Sequence, residues 1–232
     1  KAARYMQWRV FAYMKAVREL VTYEFHRLLY GRAHAYVPYV YKERNGRTLY
    51  DGPKIVPMEP DQFVVPAENV RDVQEFSWVI RRYRTRVDKI LRSEGTLYIP
   101  GVKAHAEKLF RLAEDGDQLQ HRGDEVLRSQ EDLQGVNGGY GRSVRNHVVI
   151  HEWYGRWRMP KKGGGRELLE TDLVIRFQPD LRLILGIQRL EDIYGDIERL
   201  RPFVCAGMVP DGTYWSPGFG EWLIPLAEAL SK

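Results

Sequence analysis

The side chains with the most direct chemical potential lie in HVVIHEWYGRW, where His147, His151 and Glu152 fall together. On a helix, two histidines four residues apart share a face, which is metal-ligand spacing. The neighbours here are β-branched and aromatic, and such residues favour strand. On a strand the two histidine Cα atoms stand about 13 Å apart at ~3.3 Å per residue, too far to share one ion. The run also lacks the second histidine that a zincin helix places one turn on. Two glycine-rich runs, 135–141 (GVNGGYG) and 163–165, have neither the strand-to-helix setting nor the Gly-Lys-Ser/Thr ending of a phosphate cradle, and read as loops. No G-x-S-x-G elbow exists to expose a nucleophilic serine. A metal-dependent nuclease would have to gather acids such as Asp172, Glu191 and Asp192, and the sequence alone does not bring them together. The expectation is a chain with no catalytic residue, metal site or cofactor, in a binding or structural role.

The strongest binding signal is FSWVIRRYRTR, which carries Arg81, Arg82, Arg84 and Arg86. On a strand Arg82, Arg84 and Arg86 share a face and can meet phosphates without reading sequence. The competing reading makes them partners of acids in this chain or in a neighbouring subunit. A formal charge of +5 is compatible with a nucleic-acid neighbour without being diagnostic. Arg142, Arg145, Arg156 and Arg158 form a second local cluster. Fourteen Tyr and six Trp, together with the arginines, are the residue types that anchor protein interfaces, and equally those of a large ordinary core. The single cysteine, Cys205, rules out an internal disulfide framework and a Cys-based zinc cluster. It reads as a small buried hydrophobe, which fits a reducing compartment. No apolar run approaches the roughly 20 residues that cross a bilayer, so no membrane partner is expected, and no signal peptide is visible.

The elements that must position these residues follow from periodicity. Met6, Val10, Met14, Val17, Val21, Phe25 and Leu28 recur at three- and four-residue spacing, predicting one helix over 4–30 that ends at Gly31. Residues 34–43 alternate as a strand, Asn45-Gly46 marks a hairpin turn, and 47–56 return as its partner. Pro38 marks an edge or bulge. A short strand follows at 62–65. Residues 73–84 read as a strand with Phe76, Trp78 and Ile80 on one face. Thr85 is the expected N-cap of a helix over 86–93, with Asp88 in its first turn. A helix spans 102–113. The polar, Gly-rich run 114–143 is expected to be a mobile insertion, interrupted by a short helix near 124–132. Strands over 144–159, 172–178 and 181–189 form a meander, 191–200 is irregular, and 202–209 is a last strand. Residues 210–220 make a Pro/Gly/aromatic corner, and a helix begins at Glu221. Strands joined by turns rather than by crossover helices give an α+β fold with antiparallel or mixed sheet. Lys1 is not a start methionine and the final helix is unfinished at Lys232, so the chain is expected to continue at both ends.

Two stretches resemble tailed-phage portal proteins, the head-to-tail connectors. The first runs through Arg201-Pro202-Phe203, the Pro210-Asp211-Gly212 turn, Tyr214-Trp215 with Pro217, Gly218 and Gly220, and Glu221-Trp222-Leu223-Ile224-Pro225-Leu226. It is similar to the passage from a portal wing into its stem helix. The second resembles the podovirus-type wing. It has a proline-rich lead (Val56-Pro57) into Phe63-Val64-Val65, then a strand with an arginine tail, Phe76 to Arg84, that opens a short helix over 85–91. The first helix, ending in Leu29-Tyr30-Gly31 before an aromatic hairpin, resembles the first wing elements. One departure is Trp215-Ser216-Pro217-Gly218, where the family more usually carries a compact aromatic-Gly-x-Gly.

The resemblance implies a portal-wing-like α+β domain over 1–220 and the start of a stem helix over 221–232, with stem, clip and crown outside this sequence. It implies a non-enzymatic virion protein, a homo-oligomeric, dodecameric ring at one capsid vertex. Its partners would be the major capsid protein, the terminase, head-tail adaptors and the double-stranded DNA passing through for packaging and ejection. The residues alone leave two other readings open, a sequence-independent nucleic-acid-binding module and a metal-dependent nuclease domain.

Overall fold

The computed structural model describes residues 4–5, 8, 13–14, 16–68, 70–115, 146–160, 168–194, 200–208 and 214–230. Helices and antiparallel sheets coexist, so the class is α+β. The chain divides into two compact units. One comprises Lys1–Arg81, Tyr154–Asp172 and Arg189–Lys232, and the other Arg82–Trp153 and Leu173–Gln188.

In the first unit, helix α1 (Val17–Tyr30) ends at Gly31, whose φ of 77° is the left-handed conformation that closes helices. The chain turns directly into β1 (Arg32–Tyr36). β1 pairs antiparallel with β10 (Phe203–Gly207) on one side and with β4 (Val56–Met58) on the other. Tyr23 of α1 packs with Ala33 and Ala35, small residues that let the helix lie close to the strand. The entry to β10 is held by one side chain. Gln74 Nε2 donates to Arg201 O at 3.0 Å and Phe203 O at 3.2 Å, while its Oε1 accepts from Arg201 N at 2.9 Å. Strands β2 (Tyr39–Arg44) and β3 (Arg47–Pro53) form a hairpin sheet of their own. Asn45 and Gly46 have φ of 53° and 72°, the twin positive values of a type I′ turn.

A further sheet has the order β5-β6-β7-β8-β9: β5 (Phe63–Val64), β6 (Trp78–Arg86), β7 (His147–Pro160), β8 (Leu168–Gln178) and β9 (Leu183–Arg189). The predicted β7-β8-β9 meander is present in that order. The second unit's core is built from α2 (Val87–Arg92) and α3 (Ala106–Asp115). Val87, Ile90, Leu109 and Ala113 pack with Val148, Ile150 and Leu185 of the strands. The chain is completed by a short helix α4 (Leu190–Tyr194) and by α5 (Phe219–Leu230).

Several expectations change. The helix expected over 4–30 is interrupted by a bend at Met14 and restarts at Val17. The strand expected over 34–43 is two strands in different sheets. Pro38 separates them, because a proline cannot donate to a ladder. Phe76 lies before β6 in a turn, and the fully buried residue of that strand is Val79 rather than Trp78 or Ile80. Thr85 is buried inside β6 and does not cap α2, whose N-cap position is Arg86. Residues 190–194 are helical where an irregular segment was expected. Most of the expected insertion 114–143, the glycine turn at 163–165, and Pro210 and Gly212 lie outside the described residues.

Candidate functional site

The corner between β10 and α5 is held by contacts that no local pattern predicts. Residues 216–218 press backbone to backbone against the end of α1. A Cβ on Gly31 would lie 2.6 Å from Pro217 C and 2.7 Å from Gly218 N. A Cβ on Gly218 would lie 2.7 Å from Gly31 N and closer still to Leu29 O. Both positions therefore require glycine, and Gly31 requires it a second time for its φ. The Ser216 hydroxyl donates to Gly31 O and accepts from Met208 N at 3.0 Å, while Met208 N also donates to Gly31 O at 2.7 Å. Among the predicted corner residues, Gly218 is buried, Pro217 is half-buried, and Trp215 is exposed with its ring 5.6 Å from His34. Gly220 sits in the first turn of α5, and a Cβ there would meet nothing nearer than 3.9 Å.

Beneath the corner is a buried polar knot centred on Tyr214. The Arg32 guanidinium lies 3.8 Å over the Tyr214 ring, donates to Tyr214 O, and donates to Arg71 O at 3.0 Å. His34, directly across the ladder from Cys205, holds the Tyr214 hydroxyl 2.9 Å from Nε2. That hydroxyl donates to Cys205 Sγ at 3.4 Å. Phe76 meets the Tyr214 ring edge-on at 4.6 Å. Burial, with the Arg32 charge adding to it, pushes the His34 pKa down to about 3. Burial also pushes the Cys205 thiol up to about 11 and raises the Tyr214 hydroxyl further. At neutral pH Arg32 is thus the charged member of this knot, and Cys205 is a poor nucleophile. Sequence reasoning named Tyr214 within the corner and missed Arg32 and His34. Their one signal was a strand of alternating polar and small residues, RAHAY, directly after the helix end.

The basic strand divides. Arg81 is drawn into the first unit, its guanidinium 3.7 Å above the Tyr36 ring. Arg82, Arg84 and Arg86 are exposed on one face of β6, as alternation requires, and Arg86 reaches Asp88 at 3.0 Å. His147 and His151 both lie on β7. The His151 ring meets Phe177 at 5.4 Å, and burial followed by the nearby Arg82 lowers its pKa. Glu152, one residue on, is a buried ion-pair partner. It accepts from Arg176 Nε at 2.7 Å, and Arg176 also donates to Gln188 Oε1 and, at 3.2 Å, to Leu97 O. Gln188 in turn donates to Thr96 O at 2.9 Å, so this network pins residues 96–97 onto the strands. The acids a nuclease would gather have other engagements. Asp172 lies 3.6 Å from Arg156, and Glu191 3.4 Å from Arg189. Among the described residues no group of three His, Cys, Asp or Glu side chains is placed to hold a metal ion, and no helix is long and apolar enough to cross a membrane.

Around the corner the surface is apolar. α1 and α5 are in contact, and Val21, Phe25 and Leu28 of α1 are exposed together with Trp222, Leu223 and Ile224 of α5. Val21 is 64% and Phe25 59% exposed, so the stripe that defines α1 in the sequence faces away from the core of its own unit. No family model matches the chain, and no curated protein matches it.

Proposed function

We propose that this chain is the wing-like part of a portal protein. It would be one subunit of a ring at a capsid vertex, through which double-stranded DNA is packaged and ejected and on which terminase and tail adaptors dock. In this reading α5 opens the stem. The observation that carries it is the clamp between Gly31 and Gly218, which fixes the direction in which α5 leaves the corner. Next to it, α1 exposes Val21, Phe25 and Leu28, and α5 exposes Trp222, Leu223 and Ile224, large apolar side chains of the kind that mark interaction surfaces. A rigid corner that aims a helix, beside an apolar surface, is what a subunit needs to repeat one contact around a ring. Negative-stain electron microscopy of the protein expressed from its whole gene should show annular particles. A uniform population of monomers or dimers overturns the proposal.

The exposed face of Arg82, Arg84 and Arg86 favours a second reading, a sequence-independent nucleic-acid-binding module. It requires duplex affinity that falls steeply with salt and is lost when those three arginines become glutamine. Rings without such a dependence separate the first reading from the second.

A further inference from the structure

The hairpin β2–β3 carries an arrangement that neither reading uses. Arg44 and Arg47 flank the Asn45-Gly46 turn and are direct cross-strand partners. Like charges in that position repel and weaken a hairpin. Lys42 adds a third cation on the same strand face as Arg44, since alternation along β2 sets Val40, Lys42 and Arg44 against Tyr39, Tyr41 and Glu43. All three cations are exposed, and among the described residues none has an ion-pair or hydrogen-bond partner for its side chain. The hairpin's acids are held on the other face, where Tyr39 Oη donates to Asp51 Oδ1 at 2.5 Å and Tyr41 Oη to Glu43 Oε2 at 2.8 Å. The ribbon's base is braced. The Tyr13 ring stacks on Tyr50 at 5.1 Å and on Trp8 at 5.6 Å, and the Tyr13 hydroxyl accepts from Asp51 N at 2.9 Å. Such bracing matters because a two-stranded ribbon alone is marginal in water.

The geometry points to this hairpin as a β-ribbon that docks on the phosphodiester backbone of duplex DNA, with Lys42, Arg44 and Arg47 as the phosphate contacts. A bound phosphate removes the repulsion between the two arginines. A two-stranded ribbon fits within a groove of B-form DNA. The six residues of the tip, 43–48, are all polar or glycine, and the exposed Tyr39, Tyr41 and Leu49 lie further down the ribbon. Asn45 and Thr48 add neutral donors of the kind that position a protein on phosphates. The site is separate from β6 and does not depend on ring formation.

The test is fluorescence anisotropy of the 232-residue chain with a short labelled duplex across a salt series. R44Q/R47Q should bind about tenfold more weakly at low salt, with a log–log salt slope shallower by about two. Its circular dichroism should be unchanged, since both side chains are exposed. K108Q/R111Q, exposed on α3, removes the same charge elsewhere and should leave affinity near that of the parent chain. The proposal is overturned if R44Q/R47Q retains the parent affinity and slope, or if K108Q/R111Q loses as much. It also fails if a single strand binds as tightly as the duplex, or if polyglutamate of equal charge displaces the duplex.

Discussion

At the scale of single residues, the two corner glycines make opposite predictions. A side chain on Gly218 collides with the backbone of residues 29–31, which cannot swing aside as a flexible side chain would. Gly218→Val should therefore cost at least about 3 kcal/mol, the upper range for overpacking. Gly220→Ala meets only ordinary contact at 3.9 Å and replaces a helical glycine, so it should be neutral or stabilising by up to about 1 kcal/mol. Urea midpoints of the two variants check this, and equal losses in both would refute it. His34 makes a second residue-scale prediction. Its folded pKa of about 3 lies below the ordinary value of 6.5, so between those limits the unfolded chain binds a proton that the folded chain refuses. The His34 contribution is fully present above pH 6.5 and is lost as pH falls toward 3, at about 1.4 kcal/mol per pH unit. His34→Gln should flatten that part of the pH–stability curve, measured as chemical denaturation midpoints from pH 7 to pH 4.

At the scale of elements, the buried Glu152–Arg176 pair ties β7 to β8 and, through Gln188 and Leu97, holds residues 96–97 in place. Arg176→Met leaves a carboxylate buried without its cation and should cost about 3–5 kcal/mol, whereas Glu152→Leu with Arg176→Met should recover most of that loss. Thermal midpoints of the single and double variants decide it. Elements set by adjacent residues were legible in the sequence. Asn45-Gly46 encodes its turn through two positive φ values, and Gly31 ends its helix for the same kind of reason. Elements set by distant residues were not. Alternation over 34–43 describes one strand or two equally well, and only pairing with β10 and β4 on one side of Pro38 and with β3 on the other separates them. Thr85 has the chemistry of a cap, but burial in β6 overrides it. The expected corner residues Trp215 to Gly220 follow β10 and lead into α5. That the corner rests on the end of α1 was not legible, since the contact joins residues 29–31 to 216–218 and neither run contains a sign of the other.

At the scale of the whole molecule, periodicity in α1 reports an apolar stripe but not what that stripe meets. Here Val21 and Phe25 face outward, alongside Leu223 of α5. Replacing Phe25 and Leu223 together with lysine should change the stability of the isolated chain by no more than about 0.5 kcal/mol, as for exposed positions generally. In the protein expressed from its whole gene, the same variant should abolish annular particles. Rings that persist would place the subunit contact elsewhere. The charge pattern belongs to this scale too. Exposed cations cluster at β6 and at the β2–β3 tip, so electrostatic contact of either with a polyanion would be local and sensitive to salt.

The pairing of β1 has a consequence for synthesis. β1 is the central strand of its sheet, yet one of its two neighbours begins only at Phe203, and the residues that clamp its leading glycine come later still. On the ribosome, α1 and β1 emerge well before β10 and wait, with an apolar stripe and an open ladder edge, until residues 203–207 have been made. Closing so long a loop is slow. Until it closes, that edge is free to pair with a neighbouring nascent chain, so this protein's yield in a cell should depend on how quickly translation reaches Phe203.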